Sequence, residues 1–295
     1  MAANLGAGMA APTATLLITS RDRAGIIAGV SNLLYSQGCN IINSDQHTED
    51  DDGRFFWRIF LLSERLSLEE LQAVLDQRLT KILPDIGIAW QLHDSARRDR
   101  IVIMVSRLPH CMMDLLSRYR FGELDADVVG VVGNHRDLDS MVKAFGVPFL
   151  HVPVEKGRKP EAEAKLLAAL KDLRCDTVVL ARYMQVLSGE LLHAWGNPII
   201  NIHHSFLPAF AGERPHKQAY DRGVKLIGAT AHYVTEVLDE GPIIAQATTP
   251  VTHRDSVKEL ARKGKDLEVV VLARAVRAHL QRRVLTHHNR TIVFD

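Results

Sequence analysis

Two side chains able to stabilise a developing negative charge, Asn201 and His203, close the apolar run Pro198-Ile199-Ile200-Asn201-Ile202-His203. Residues two apart on an extended strand share a face. An amide and an imidazole therefore point the same way where the chain leaves a sheet, and ligands of open α/β sheets bind at such carboxyl ends. Two donors aimed at one forming oxyanion suit acyl transfer; on spacing alone, a satisfied structural Asn and His remains open. Further on, Val234-Thr235-Glu236-Val237-Leu238-Asp239-Glu240-Gly241-Pro242 supplies a carboxylate, Asp239, on a turn between β segments. Brought to His203, it would favour the imidazolium and could orient or deprotonate a water. Asp before Glu-Gly-Pro is equally an ordinary turn.

The elements that must carry these groups fall into two patterns, separated by the polar stretch His93-Asp94-Ser95-Ala96-Arg97-Arg98-Asp99-Arg100. Before it, Thr15 to Thr19, Cys39 to Gln46, Arg54 to Leu62 and Ile86 to Leu92 read as strands, while Ile26 to Leu34 and Leu68, Leu71, Val74, Leu75 and Leu79 carry helical spacing. The order βαββαβ predicts an antiparallel sheet with two helices on one face over residues 13–92, joined by a linker at 93–100 to a second domain at 101–295. Asp50-Asp51-Asp52-Gly53 is placed at a solvated hairpin turn. In the second domain, short runs (Ile101 to Val105, Val128 to Val132, Phe149 to Val152, Thr177 to Ala181, Ile199 to His203) alternate with helical segments such as Glu161 to Leu173, the mark of an α/β fold with a mostly parallel sheet. Two β-rich segments, Leu226 to Val234 and Ile243 to Val251, and a long helix from Ser256 to Gln281 end it.

Composition narrows the chemistry. With 36 Lys+Arg against 35 Asp+Glu, the chain has no global field to hold a phosphate backbone, so nucleic acid is not expected. The best apolar run, Val269 to Ala273, is bracketed by Glu268 and Arg274, far short of the roughly 20 residues of a membrane-crossing helix. The Ala/Gly-rich opening has no basic residue before Arg21 and reads as a frayed start rather than a targeting signal. The widely spaced Cys39, Cys111 and Cys175 form no CxxC pair, which fits buried thiols in a cytoplasmic protein. The patterns GxGxxG, GxxxxGK[ST] and HExxH are absent. His203, His204, His216, His232 and Asp239 can be drawn as metal ligands, but the adjacent His203 and His204 are expected on opposite sides of a strand, so no metal is expected.

Three segments together, Asn201-Ile202-His203-His204-Ser205-Phe206-Leu207-Pro208, Gly228-Ala229-Thr230-Ala231-His232-Tyr233-Val234-Thr235 and Leu238-Asp239-Glu240-Gly241-Pro242-Ile243-Ile244-Ala245-Gln246, resemble the folate-dependent formyltransferase family. The resemblance spans about residues 101–295 and implies a Rossmann-like formyltransferase domain with Asn201, His203 and Asp239 as catalytic residues. Ala181-Arg182-Tyr183-Met184-Gln185-Val186-Leu187-Ser188 is similar to the family's pterin-lining segment, so Met184, Gln185, Val186, Leu187, Val237 and Leu238 are the expected folate-binding residues. Ser20-Arg21-Asp22-Arg23-Ala24-Gly25-Ile26-Ile27-Ala28-Gly29-Val30 and Gly38-Cys39-Asn40-Ile41 resemble an ACT domain, which implies an amino-acid effector and a homo-oligomer. Where the family's transferases use a Gly/Ser-rich turn to hold the acceptor's phosphate, this chain has Ser106-Arg107-Leu108-Pro109-His110-Cys111, without glycine and with a proline that removes an N–H donor.

These features point to the hydrolytic branch, in which water releases formate from 10-formyltetrahydrofolate and no cofactor is needed beyond the folate substrate. Two other readings are a formyltransferase with an amine acceptor and a non-catalytic folate or amino-acid sensor; the intact Asn201, His203 and Asp239 speak against the sensor. The sequence Arg214-Pro215-His216-Lys217 departs from the family's aromatic-then-His pattern after Arg-Pro, and Arg214 and Lys217, which could meet the folate's glutamate tail, are read first as solvated charges.

Overall fold

Period-two alternation builds the N-terminal sheet. In β1 (Thr13–Arg21), Ala14, Leu16 and Ile18 are fully buried, and in β3 (Arg54–Ser63) the matching set is Phe55, Trp57, Ile59 and Leu61. The antiparallel register sets Leu16 opposite Ile59 and Ile18 opposite Trp57, so both sets face one side. Two helices cover that side, α1 (Ile26–Ser36) through Ile26, Val30, Leu33 and Leu34, and α2 (Leu68–Ile82) through Leu71, Leu75 and Leu79. Gly38, at φ +75°, follows α1 in the left-handed conformation expected for a glycine cap. With β2 (Cys39–Thr48) and β4 (Ala89–Asp94) the sheet order is β2-β3-β1-β4, the arrangement predicted for βαββαβ.

The computed structural model describes residues 11–82, 84–209 and 215–295; the opening ten residues read as a frayed start, and Arg214, lie outside them. The chain divides into two compact units, one running up to Arg97 and including Phe294–Asp295, the other Arg98–Val293. Half of the polar stretch expected as a connector is taken up by strands, since His93 and Asp94 end β4 while Asp99 and Arg100 open β5 (Asp99–Val105). These charged residues extend a strand because each finds a partner: Asp99 accepts from Arg282 at 2.5 Å, and Arg100 donates to the Leu173 carbonyl at 3.1 Å.

The second unit follows β5 with α3 (His110–Arg120), β6 (Ala126–Gly133), α4 (Asp139–Ala144), β7 (Phe149–His151), α5 (Lys159–Asp172), β8 (Thr177–Leu180), α6 (Gly189–Trp195), β9 (Ile199–His203), α7 (Pro215–Asp221), β10 (Leu226–Tyr233), β11 (Ile243–Pro250), α8 (Val257–Leu280) and the hairpin β12 (Val284–His287) and β13 (Arg290–Val293). The hairpin was not legible in the sequence. The seven-stranded sheet has the order β11-β10-β9-β8-β5-β6-β7; β9, β8, β5, β6 and β7 are parallel, and β10 is antiparallel to both its neighbours. From β5 the chain winds outward through β6 and β7, then returns to the other side of β5 for β8 and β9. The β5/β8 boundary is thus a topological switch point, where a crevice opens at the carboxyl ends. Helix α8, started by Ser256 accepting from the Glu259 amide, packs its apolar stripe against the sheet.

Candidate active site

Strand pairing positions the first three polar groups. Asn201 and His203 lie on β9, and the antiparallel register places His232 of β10 directly opposite Asn201, with Thr230 opposite His203. The His232 ring donates from Nδ1 to the Tyr233 carbonyl at 2.8 Å, so its Nε2 is the acceptor and faces Asn201 Nδ2 at 3.2 Å. Burial holds His232 below the ordinary histidine range despite that carbonyl and Asp239, which keeps it neutral in this role. One amide hydrogen of Asn201 is thereby fixed, and the amide's orientation with it. Thr230 pins the chain leaving β9, accepting from the Leu207 amide at 3.1 Å and donating to the Ser205 carbonyl at 2.9 Å.

Asp239 arrives from the turn between β10 and β11, in the left-handed region at φ +58°. The turn closes because Gly241 passes so near the Tyr233 carbonyl that a Cβ would overlap it, and the Tyr233 amide bonds the Pro242 carbonyl at 2.9 Å. The Asp239 carboxylate reaches His203 Nδ1 at 3.2 Å through Oδ2 and lies 3.8 Å from His232 Nε2 through Oδ1. Burial raises the carboxyl's proton affinity, but the His203 hydrogen bond and the histidine charges outweigh it and hold the group below the usual carboxylate range. With Nδ1 held by Asp239, His203 Nε2 is buried without a hydrogen-bond partner among the described residues, on a ring that lines a cavity of about 560 Å³.

The cavity gathers Asn201, His203 and Asp239 with all six residues expected to bind folate: Met184, Gln185, Val186, Leu187, Val237 and Leu238. Met184, Val186, Val237 and Leu238 are each more than half exposed and form an apolar lip. His204 corrects an expectation. It lines the same cavity as His203, with ring centroids 5.1 Å apart, because β9 ends at His203 and side-chain alternation lapses there. Burial, then the charges of Arg182 and His203, push His204 down to about 3, so its imidazole is neutral near pH 7. His216 stacks edge-on to His204 at 6.0 Å over Gly264, whose missing side chain makes room for the ring. Lys217 pairs with Asp221 at 2.9 Å on the surface.

A second set of groups escaped the sequence reading. Glu268, 1% exposed on α8, accepts from His110 Nε2 at 2.7 Å and lies 3.4 Å from Arg182 Nε. Its signal was its place in the helix: Leu260, Gly264, Glu268 and Leu272 recur every four residues on the buried face, so a carboxylate there needs partners. Burial raises the Glu268 carboxyl, but the His110 bond and Arg182 outweigh it, and the net position is below the ordinary range. His110, Cys111 and Glu268 offer ligand atoms within 4.8 Å of one another. Burial and the Glu268 charge push the Cys111 thiol well above its usual range, so without an ion it is protonated. Cys39 and Cys175 are also free and buried, the latter pushed up to about 12 by desolvation.

Residues 99–276 match the formyl transferase family and residues 14–79 the ACT domain family. A formyltetrahydrofolate deformylase from Synechocystis sp. is 47% identical over 284 residues, 96% of this chain and 98% of that protein. The crystal structure of a formyltetrahydrofolate deformylase from Pseudomonas syringae pv. tomato superposes with a TM-score of 0.92 at 45% identity, covering 99% of this chain and 96% of that one. A glycinamide ribonucleotide transformylase from Symbiobacterium toebii gives 0.65 at 32% identity and covers 70% of this chain but 98% of its own. Such transformylases thus match only part of the chain, whereas the deformylases match an ACT domain and a formyl transferase domain in one polypeptide, and it is to the formyltetrahydrofolate deformylase family that this chain belongs.

Proposed function

We propose that this chain hydrolyses 10-formyltetrahydrofolate to formate and tetrahydrofolate, with Asn201, His203 and Asp239 as its catalytic residues. The observation that carries this reading is the 3.2 Å contact between His203 Nδ1 and Asp239, which leaves Nε2 on the cavity wall without a hydrogen-bond partner among the described residues, beside an amide whose orientation His232 fixes. The folate lies along Met184, Gln185, Val186, Leu187, Val237 and Leu238, with its formyl group at Asn201 and His203. Asp239 holds the attacking water and takes its proton. As the water oxygen bonds to the formyl carbon, the carbonyl oxygen gains charge, which Asn201 and protonated His203 stabilise. His203 passes a proton to N10 as the C–N10 bond breaks, which leaves tetrahydrofolate and formic acid, and the acid gives its proton to solvent and departs as formate. The water supplies the proton that Asp239 takes, and no step calls for a cofactor.

Water is the nucleophile in this reading because the turn after β5 is Ser106-Arg107-Leu108-Pro109, with Pro109 capping α3, and does not offer the run of free backbone amides that would hold a phosphorylated acceptor. The decisive assay incubates purified protein with 10-formyltetrahydrofolate and no amine while formate is followed. Steady release supports hydrolysis, and slow leakage that vanishes when an amine acceptor is supplied overturns it. Near-normal release by Asn201→Ala or His203→Ala would remove those residues from the site. The ACT domain is further proposed to bind a small amino acid and to pair with its copy in a cytoplasmic homo-oligomer; a clean 32.9 kDa species in light scattering overturns that assembly. No helix among the described residues is long and apolar enough to cross a membrane.

A further inference from the structure

The reaction proposed above releases an anion, and Arg182 is the only Lys or Arg among the described residues lining the cavity. It stands two residues past the end of β8, and β8 pairs with β9, so it lies near the strand end that carries His203. Its backbone is left-handed at φ +66°, a conformation a side-chain-bearing residue keeps only where its surroundings impose it. Its side chain meets Glu268, whose Oε2 is 3.4 Å from Arg182 Nε. That same oxygen accepts from His110 Nε2 at the shorter distance of 2.7 Å, so the guanidinium holds only a distant share of it. Arg182 Nε and Nη1 make no hydrogen bond among the described residues and are closed to solvent, so an anion reaches them only when the guanidinium turns toward the cavity that the residue lines. A planar, permanently charged fork with unmet N–H donors is a receptor for a carboxylate. Its charge reaches the catalytic end of the cavity, where it helps keep His204, the neighbour of His203, neutral.

We propose that Arg182, steadied by Glu268 and His110, is a docking site for formate, which it receives as the one-carbon anion leaves Asn201 and His203. The proposal rests on the hydrolytic reading only for the identity of the anion. Formate has three heavy atoms, which bounds its affinity near the millimolar range.

The test titrates [13C]formate against the full-length protein without folate and follows the 13C linewidth. Saturable binding is expected in the wild type, weakened at least tenfold in Arg182→Gly and held within a few-fold in Arg182→Lys. Glycine accepts the positive φ, so the first variant removes the guanidinium without straining the backbone; melting curves check both folds, and the wild-type titration stands whatever they show. Unsaturable wild-type binding, or equal binding by Arg182→Gly, overturns the proposal. So does a drop in tetrahydrofolate affinity in Arg182→Gly with formate binding unchanged, since the guanidinium would then serve the folate's own carboxylates. Normal formate release combined with formate binding indifferent to Arg182 removes the docking site alone. Formate binding through Arg182 without any release from 10-formyltetrahydrofolate removes the reaction and, with it, the role as product site.

Discussion

Asp239→Asn removes both the charge beside His203 and the group that takes the water proton while keeping the shape, so the electrostatic loss is the least that it should cost. The carboxylate oxygen is 3.2 Å from His203 Nδ1 and its side chain is only 15% exposed, so solvent screens the pair weakly. At an effective dielectric constant of about 20, opposite unit charges at 3.2 Å attract by about 5 kcal/mol. The amide keeps an oxygen able to accept from Nδ1, and cavity water recovers part of the rest, which leaves a net loss of about 3–4 kcal/mol when His203 is cationic. That loss falls on the transition state, where the imidazolium faces the oxyanion, and at 1.36 kcal/mol per decade it lowers kcat roughly 10²- to 10³-fold. KM should move less than about threefold, since the lip of Met184, Val186, Val237 and Leu238 is untouched. The assay is formate release under single-turnover conditions at pH 7, with circular dichroism to confirm the fold. A variant that keeps kcat within about fivefold of wild type would refute the claim that the Asp239 charge acts through His203.

Three further outcomes follow from the same geometry. His232→Phe keeps a ring but removes the Nε2 that fixes Asn201 at 3.2 Å, so kcat should fall about tenfold with KM little changed; an unchanged kcat would show that Asn201 needs no such anchor. Leu238→Ala, at a side chain 60% exposed, should raise KM about tenfold, because roughly 60 Å² of apolar surface no longer packs against the folate, with the melting temperature unmoved. A lowered melting temperature with unchanged KM would place Leu238 in the core instead. The third concerns acid. The carboxyl groups of Asp239 and Glu268 are both held below their ordinary values in the folded state, so on acidification the unfolded chain takes up protons first. Their contribution is complete at neutral pH and is lost as pH falls below about 4.5 through the folded-state values. Melting midpoints measured from pH 7 to pH 3 should drop over that range, with a shallower drop in Glu268→Gln; a steeper one in the variant would contradict the assignment.

What the sequence disclosed, and what it withheld, divides along the range of the interactions. Asn201 and His203 were readable because the period of a strand is local: two polar residues closing an apolar run must share a face wherever the strand lies. The limit of the same rule explains His204, since alternation holds only while the backbone stays extended and β9 ends at His203. The bond from Asp239 to His203 could not be read from spacing, because it depends on the antiparallel pairing of β10 with β9 and on a turn that Gly241 alone allows; only motif resemblance reached it. Arg182 lay in a segment already singled out for the pterin, yet its partner Glu268 is on α8, and the strand order β9-β8-β5 that brings β8, α3 and α8 together is a choice among crossovers that no local pattern fixes. A carboxylate every-fourth-residue in register with Leu260, Gly264 and Leu272 did announce a buried charge, though not the cation that would neutralise it. Of the groups assigned to bond making, Asn201 and His203 are therefore fixed by local strand geometry, and Asp239 by the pairing of β10 with β9. Those that tune the cavity around them are fixed by strand order, and this is why the reaction was easier to foresee than the wall against which its product is proposed to rest.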